Sequence, residues 1–171
     1  MSKPEIFNMV VVASIAALFA ACTVSYSFSG AKVSAGASTF SVEYFENRAN
    51  IVQPTLSQEL TDGLIDQVKR QTPLEYSTDL GDVTFSGEIT EYSNRPLTAS
   101  AASQAATNRF TITIKVIHEN MIEPDKSFEQ SFSRFEDYSS NLDFSSVEAE
   151  LSESIVKLLI EDIFNRAFVT W

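Results

Sequence analysis

The chain has 171 residues, with 12 Lys+Arg against 23 Asp+Glu, a net charge of −11 and a pI near 4.4, a balance that excludes a general nucleic-acid binder. One Cys and one His exclude a disulfide framework and a cysteine-rich zinc or iron–sulfur site, and leave imidazole-based catalysis short of residues. The 13 Phe and an apolar fraction of 44% provide for the core of one domain and argue against a disordered tail.

Residues 1–21 have the pattern of a secretory signal. A polar start containing Lys3 leads into an apolar run from Met9 to Ala21. As a helix rising about 1.5 Å per residue, that run is about 20 Å long. It is too short for a hydrocarbon layer of about 30 Å, but it suits the apolar core of a signal peptide. Leu18-Phe19-Ala20-Ala21-Cys22 resembles a bacterial lipobox, although Phe19 stands where Leu is usual. Cys22, the only thiol, is therefore expected to accept lipid and become the mature N-terminus. Several acyl chains, at about 0.8 kcal/mol per buried CH₂, would anchor it firmly.

The mature chain divides into a small, polar, extended tether over 22–38 and a single α+β domain over 39–171. A strand is expected over Thr39–Phe45, with Phe40, Val42 and Tyr44 on one face and Phe45 pointing off the helix-covered side. Thr55 and Gln58 have capping-box spacing and open a helix whose apolar stripe is Leu56, Leu60, Leu64 and Val68, with Pro73 beyond its end. Asp82–Ser93 and Arg109–Glu119 alternate as long strands, joined by a loop rich in Ala, Ser and Thr from Pro96 to Thr107. After a turn over Asn120–Asp125 comes a strand, Lys126–Asp137. Phe128 and Phe132 are in phase there and Phe135 is not, which predicts a bulge or bend. The last element is a helix of about two dozen residues, opened by capping-box spacing at Ser145 and Glu148. Its inner stripe is Val147, Leu151, Ile155, Leu158, Leu159 and Ile163, and Glu148, Glu150, Glu153 and Glu161 face water. The pattern predicts a two-layer sandwich, with two helices on one face of a four-stranded, mostly antiparallel sheet in the order β-α-β-β-β-α. The other sheet face, rich in Thr and Ser, is left uncovered as a docking surface.

The residues offer little chemistry. Gly30 and Gly36 lack the Gly-Lys-Ser/Thr ending of a phosphate loop, and no Gly-x-Ser-x-Gly elbow is present. His118 reads as a structural strand residue, and Glu136-Asp137 as a charged strand end. Glu88 and Glu91, at i and i+3 on a strand, are expected on opposite faces. No catalytic set, cofactor or metal is expected, and the chain is read as not an enzyme.

Several segments resemble the LptE family of lipopolysaccharide-assembly outer-membrane lipoproteins, most closely its Bacteroidetes-type branch. They are Val24–Gly30, Thr39–Ala49, Pro54–Gln58, Phe128–Phe135 and Glu161–Ala167, which follow one another across the mature chain. The resemblance implies a non-catalytic subunit of the lipopolysaccharide translocon, anchored in the outer membrane on the periplasmic side. Such a subunit plugs the lumen of the LptD β-barrel, assists its assembly and contacts lipopolysaccharide. Because that ligand is anionic, the residues to contact it would be Arg95 and Arg109, flanking the loop, and Lys115 on the polar sheet face. The strong acidity suits a plug held against a basic lumen. The alternative is a lipid-anchored periplasmic binding module for another protein or ligand.

Overall fold

The computed structural model describes residues 31–51, 53–97 and 106–169. The signal segment and Cys22 lie outside the described residues, as does the 98–105 part of the long loop. In chain order the elements are β1 (Thr39–Val42), β2 (Glu46–Asn47), α1 (Leu56–Gln71), β3 (Glu75–Tyr76), β4 (Val83–Leu97), β5 (Thr107–Asn120), a 3₁₀ turn (Pro124–Lys126), β6 (Phe128–Ser139) and α2 (Phe144–Phe168).

The expected α+β layering with two helices on a sheet is present, but the sheet has six strands and not four. Their order is β3-β1-β4-β5-β6, with β2 also paired to β4. The two additional strands, β2 and β3, are two residues each, too short to show an alternating pattern. Strands β4, β5 and β6 pair antiparallel as consecutive hairpins, whereas β1 runs parallel to both β3 and β4, and β2 runs parallel to β4. The reason lies in the connection: a chain that leaves β1 and returns through α1 can re-enter the sheet in the same direction.

A bulge between β1 and β2 overturns the expected phase of the first strand. Val42 pairs with Phe85 and Glu46 with Glu88, so residues 43–45 face only Ser86 and Gly87 of β4. The extra residue reverses the faces. Phe45 is fully buried and Tyr44 is 56% exposed, the opposite of the sequence pattern. Gly87 makes room for the incoming ring: a Cβ there would stand 2.8 Å from Phe45 Cε1 and 2.1 Å from the Lys115 carbonyl oxygen. The strand expected to bulge, β6, does not. Its register with β5 is unbroken, and Phe135 lies opposite Thr111 on the uncovered face, half exposed.

The α1 stripe Leu56, Leu60, Leu64 and Val68 is buried throughout, as its period requires. Neither capping box forms. Gln53 Oε1 instead accepts from the backbone N–H groups of Thr55 (2.6 Å) and Leu56 (3.2 Å), while Gln58 donates to Asp62. On α2, Ile155, Leu159 and Ile163 are buried and Val147 and Leu151 pack at the rim of the core. Glu148, expected in water, accepts a 2.5 Å hydrogen bond from the buried Tyr92 hydroxyl. The two helices meet where Ile160 lies over Gly63, and their apolar stripes share one core with Phe85, Ile89, Ile112 and Ile114.

The part of the expected tether that is described, 31–38, lies against the domain. Lys32 N–H donates to the Phe168 carbonyl at 2.7 Å, and buried Ser34 accepts from Asn120 Nδ2 at 2.8 Å. The chain then turns at Gly36, whose φ of +100° is a region that other residues rarely adopt. Beyond the turn, Asp82 Oδ2 accepts four hydrogen bonds, from the N–H and hydroxyl groups of Ser38 and Thr39.

A candidate docking face on the open side of the sheet

Alternation along β5 sends Phe110, Ile112, Ile114, Val116 and His118 into the core and Arg109, Thr111, Thr113 and Lys115 to the other side. Their cross-strand neighbours complete a polar surface that neither helix covers. At one end, Lys115 Nζ meets Glu129 at 2.5 Å, while Arg48 bridges Glu88 at 3.1 Å and Glu46 at 2.8 Å. Lys115, Arg48, Glu88 and Glu46, with Tyr44, border a shallow basin of about 370 Å³. In the middle, Thr113 hydrogen-bonds both Glu91 and Ser133. At the far end, Arg109 forms a two-bond fork with Asp137, at 2.7 and 2.8 Å, and its guanidinium stacks 3.6 Å from the Phe135 ring centre.

The structure thus brings Arg95, Arg109 and Lys115 onto one face, but it partners them differently. Arg95 and Arg109 are directly opposite each other in the β4–β5 register. Arg109 is held by Asp137, whose hydrogen bonds push its pKa up while its own pKa is pushed down by Arg109. Lys115 is likewise raised by Glu129 and further by Glu88. Among the described residues Arg95 has only a 3.4 Å contact to Glu91, and its side chain is 76% exposed. A second bulge, at Thr90, moves Glu91 to the same face as Glu88, contrary to the strand-parity expectation. Glu91 is then engaged by Ser93, Thr113 and Arg95, and Glu88 by Arg48. The partner residues Arg48, Glu129 and Asp137 are not evident from sequence, because they emerge only once strand register is known.

His118 closes the core beneath this end of the sheet. It is 1% exposed, with ring centres of Phe85 at 4.6 Å and Phe128 at 4.9 Å, and its Nδ1 has no hydrogen-bond partner among the described residues. Burial pushes its pKa down to about 4, assisted by the Arg166 charge and opposed by a backbone hydrogen bond to Thr84. Among the described residues no group of three or more His, Cys, Asp or Glu is placed to hold a metal ion. No described helix is long and apolar enough to cross a membrane.

Two helices stacked on one face of a sheet, with an ion-paired polar face left open opposite them, define an α+β sandwich domain that presents a broad surface. The model of the lipopolysaccharide-assembly family LptE matches residues 37–167, and the chain belongs to that family. Among curated protein sequences no relative matches. Among solved structures the fold is similar to a minor lipoprotein from Acinetobacter baumannii (13% identity, 75% of this chain and 90% of that one, TM-score 0.50). It is also similar to lipoprotein B from Nitrosomonas europaea (9% identity, 84% and 88%, TM-score 0.51). A third is a homolog of a neuraminyllactose-binding hemagglutinin from Helicobacter pylori (10% identity, 82% and 88%, TM-score 0.52). At these identities the likeness is one of fold.

Proposed function

We propose that this protein is the non-catalytic lipoprotein subunit of a lipopolysaccharide translocon, tethered through lipid on Cys22 to the periplasmic side of the outer membrane. In this reading it occupies the lumen of an LptD-like β-barrel and assists its assembly. The family match over residues 37–167 carries the reading, and the open face gives it a physical basis. That face spreads charged side chains over four neighbouring strands and pairs most of them in advance, so it presents a preorganised polar surface to a barrel wall. Arg95, with the longest ion-pair contact of the three cationic candidates, is the residue assigned to anionic lipopolysaccharide, with Arg109 directly opposite it and Lys115 at the other end of the same face. Two experiments test this. Cys22→Ala is expected to shift the protein out of the outer-membrane fraction, and full retention there overturns the anchor. A photo-crosslinking residue at Thr113 is expected to capture a large outer-membrane barrel protein, whereas capture only from a position on the helix face overturns the assignment of the open face.

A further inference from the structure

The starts of β1, β3 and β4, the last residue of β5 and the last turn of α2 all lie at one end of the sheet. The described chain also enters there, where Lys32 N–H donates to the Phe168 carbonyl and Ser34 meets Asn120. Two neighbouring loops form the tip of this end. Met121 N–H donates to the Asp82 carbonyl at 2.9 Å, which ties the β5–β6 turn to the β3–β4 loop, and Ile122 N–H donates to Asn120 Oδ1 at 3.0 Å. Three apolar side chains stand out from these loops: among the described residues Leu80 is 70% exposed, Met121 59% and Ile122 41%. Apolar side chains gathered in this way mark a surface that meets a partner or a membrane.

We infer that this end rests on the lipid surface of the leaflet that holds the anchor, with Leu80, Met121 and Ile122 in its interfacial layer. The inference rests on the Cys22 anchor proposed above and concerns the chain before a barrel encloses it. Chain length selects the end. From Ala31 back to Cys22 the chain spans at most about 32 Å. The 14 residues of β5 alone extend about 45 Å, so the far end of the sheet cannot face the leaflet while the anchor stays in it. Lying on a side is no better, because the open face carries ion pairs and the helix face carries the exposed Glu150 and Glu153. At the tip itself two carboxylates are already engaged: Asp82 accepts from Ser38 and Thr39, and Glu123 pairs with Lys126 at 2.6 Å. Asp79 and Asp125 remain exposed beside the apolar residues, so the surface that suits this end is zwitterionic and not anionic.

To test this, the lipidated chain is returned from detergent to phosphatidylethanolamine–phosphatidylcholine vesicles that contain nitroxide-labelled lipid. Cys22 is the only cysteine and its thiol is taken up by lipid in this reading, so an introduced cysteine alone accepts a fluorophore. Labels at Leu80→Cys and Met121→Cys are expected to be quenched. A label at Leu142→Cys, an exposed apolar residue at the far end of the sheet, is expected to stay bright. Ile122→Asp is expected to remove most of the quenching at Leu80, and added phosphatidylglycerol is expected to weaken it. Bright labels at Leu80 and Met121 on a chain that floats with the vesicles overturn the contact and leave the anchor standing. Equal quenching at Leu142 does the same. The mass of Cys22 and the flotation read the anchor separately: a chain that carries no lipid and does not float overturns the anchor, and the contact with it. In membranes, capture of a protein in place of lipid by a photo-crosslinking residue at Met121 also overturns the inference.

Discussion

Three residues show how single side chains fix this fold. His118 is the only imidazole and sits neutral among Phe85, Phe128 and Phe168. Its pKa of about 4 in the fold lies below the ordinary 6.5, so between these values the unfolded chain takes up a proton that the folded chain refuses. Stability from this group is complete above pH 6.5 and is lost as pH falls to about 4. The loss is on the order of 3 kcal/mol, and denaturant unfolding at pH 7, 5 and 4 measures it. His118→Phe is expected to flatten that part of the profile. Asp82 acts in a lower window. The Ser38 and Thr39 N–H groups and hydroxyls hold its carboxylate at about 2, so its contribution is present above the ordinary 3.8 and lost as pH falls toward 2. Asp82→Ala is expected to speed hydrogen exchange at the Ser38 and Thr39 amides and to lower the melting temperature. Gly87 works by its missing side chain: Gly87→Ala drives a Cβ into the Lys115 carbonyl, and a loss of about 3 kcal/mol in chemical denaturation is expected.

At the scale of elements, the two helices were legible because a four-residue apolar period survives any detail of the sheet, and Leu56, Leu60, Leu64 and Val68 are all buried. The same holds for β5, whose strict alternation is unbroken. What the sequence concealed came from insertions that leave no local mark. The bulge at residues 43–45 exchanged the roles of Tyr44 and Phe45, and the one at Thr90 carried Glu91 onto the face of Glu88. The helix starts were found but their chemistry was misassigned, since Gln53 caps α1 from outside the Thr55–Gln58 spacing. Glu148 serves as the acceptor for Tyr92, tying β4 to the first turns of α2, and burial followed by that hydrogen bond raises the Tyr92 pKa. Tyr92→Phe is expected to cost about 1–2 kcal/mol, read from the urea midpoint. Gly63→Ala should behave differently from Gly87→Ala. Its new Cβ meets only the mobile end of Ile160, and the helix gains about 1 kcal/mol in propensity, so stability is expected to change little.

For the whole molecule, the layer arrangement decides what is available to a partner. With α1 and α2 on one side, the opposite side of β4, β5 and β6 offers carboxylates and cations in cross-strand pairs, and an acidic total of −11 surrounds them. The three cations singled out by sequence do share that face: Arg109 and Lys115 follow from the alternation along β5, whereas Arg95 reaches it only because the Thr90 bulge reverses the parity of β4 beyond that point. Their carboxylate partners could not be read, because pairing depends on which strands neighbour one another. Membership of the lipopolysaccharide-assembly family and this open face lead to one central claim, that the molecule works as a partner inside an outer-membrane barrel. The most direct test is extraction of membranes in mild detergent, followed by pull-down on a C-terminal tag and mass spectrometry. The account predicts one large β-barrel protein recovered in stoichiometric amount with the tagged chain. Recovery of the tagged chain without a barrel, from a fully solubilised outer membrane, would contradict it.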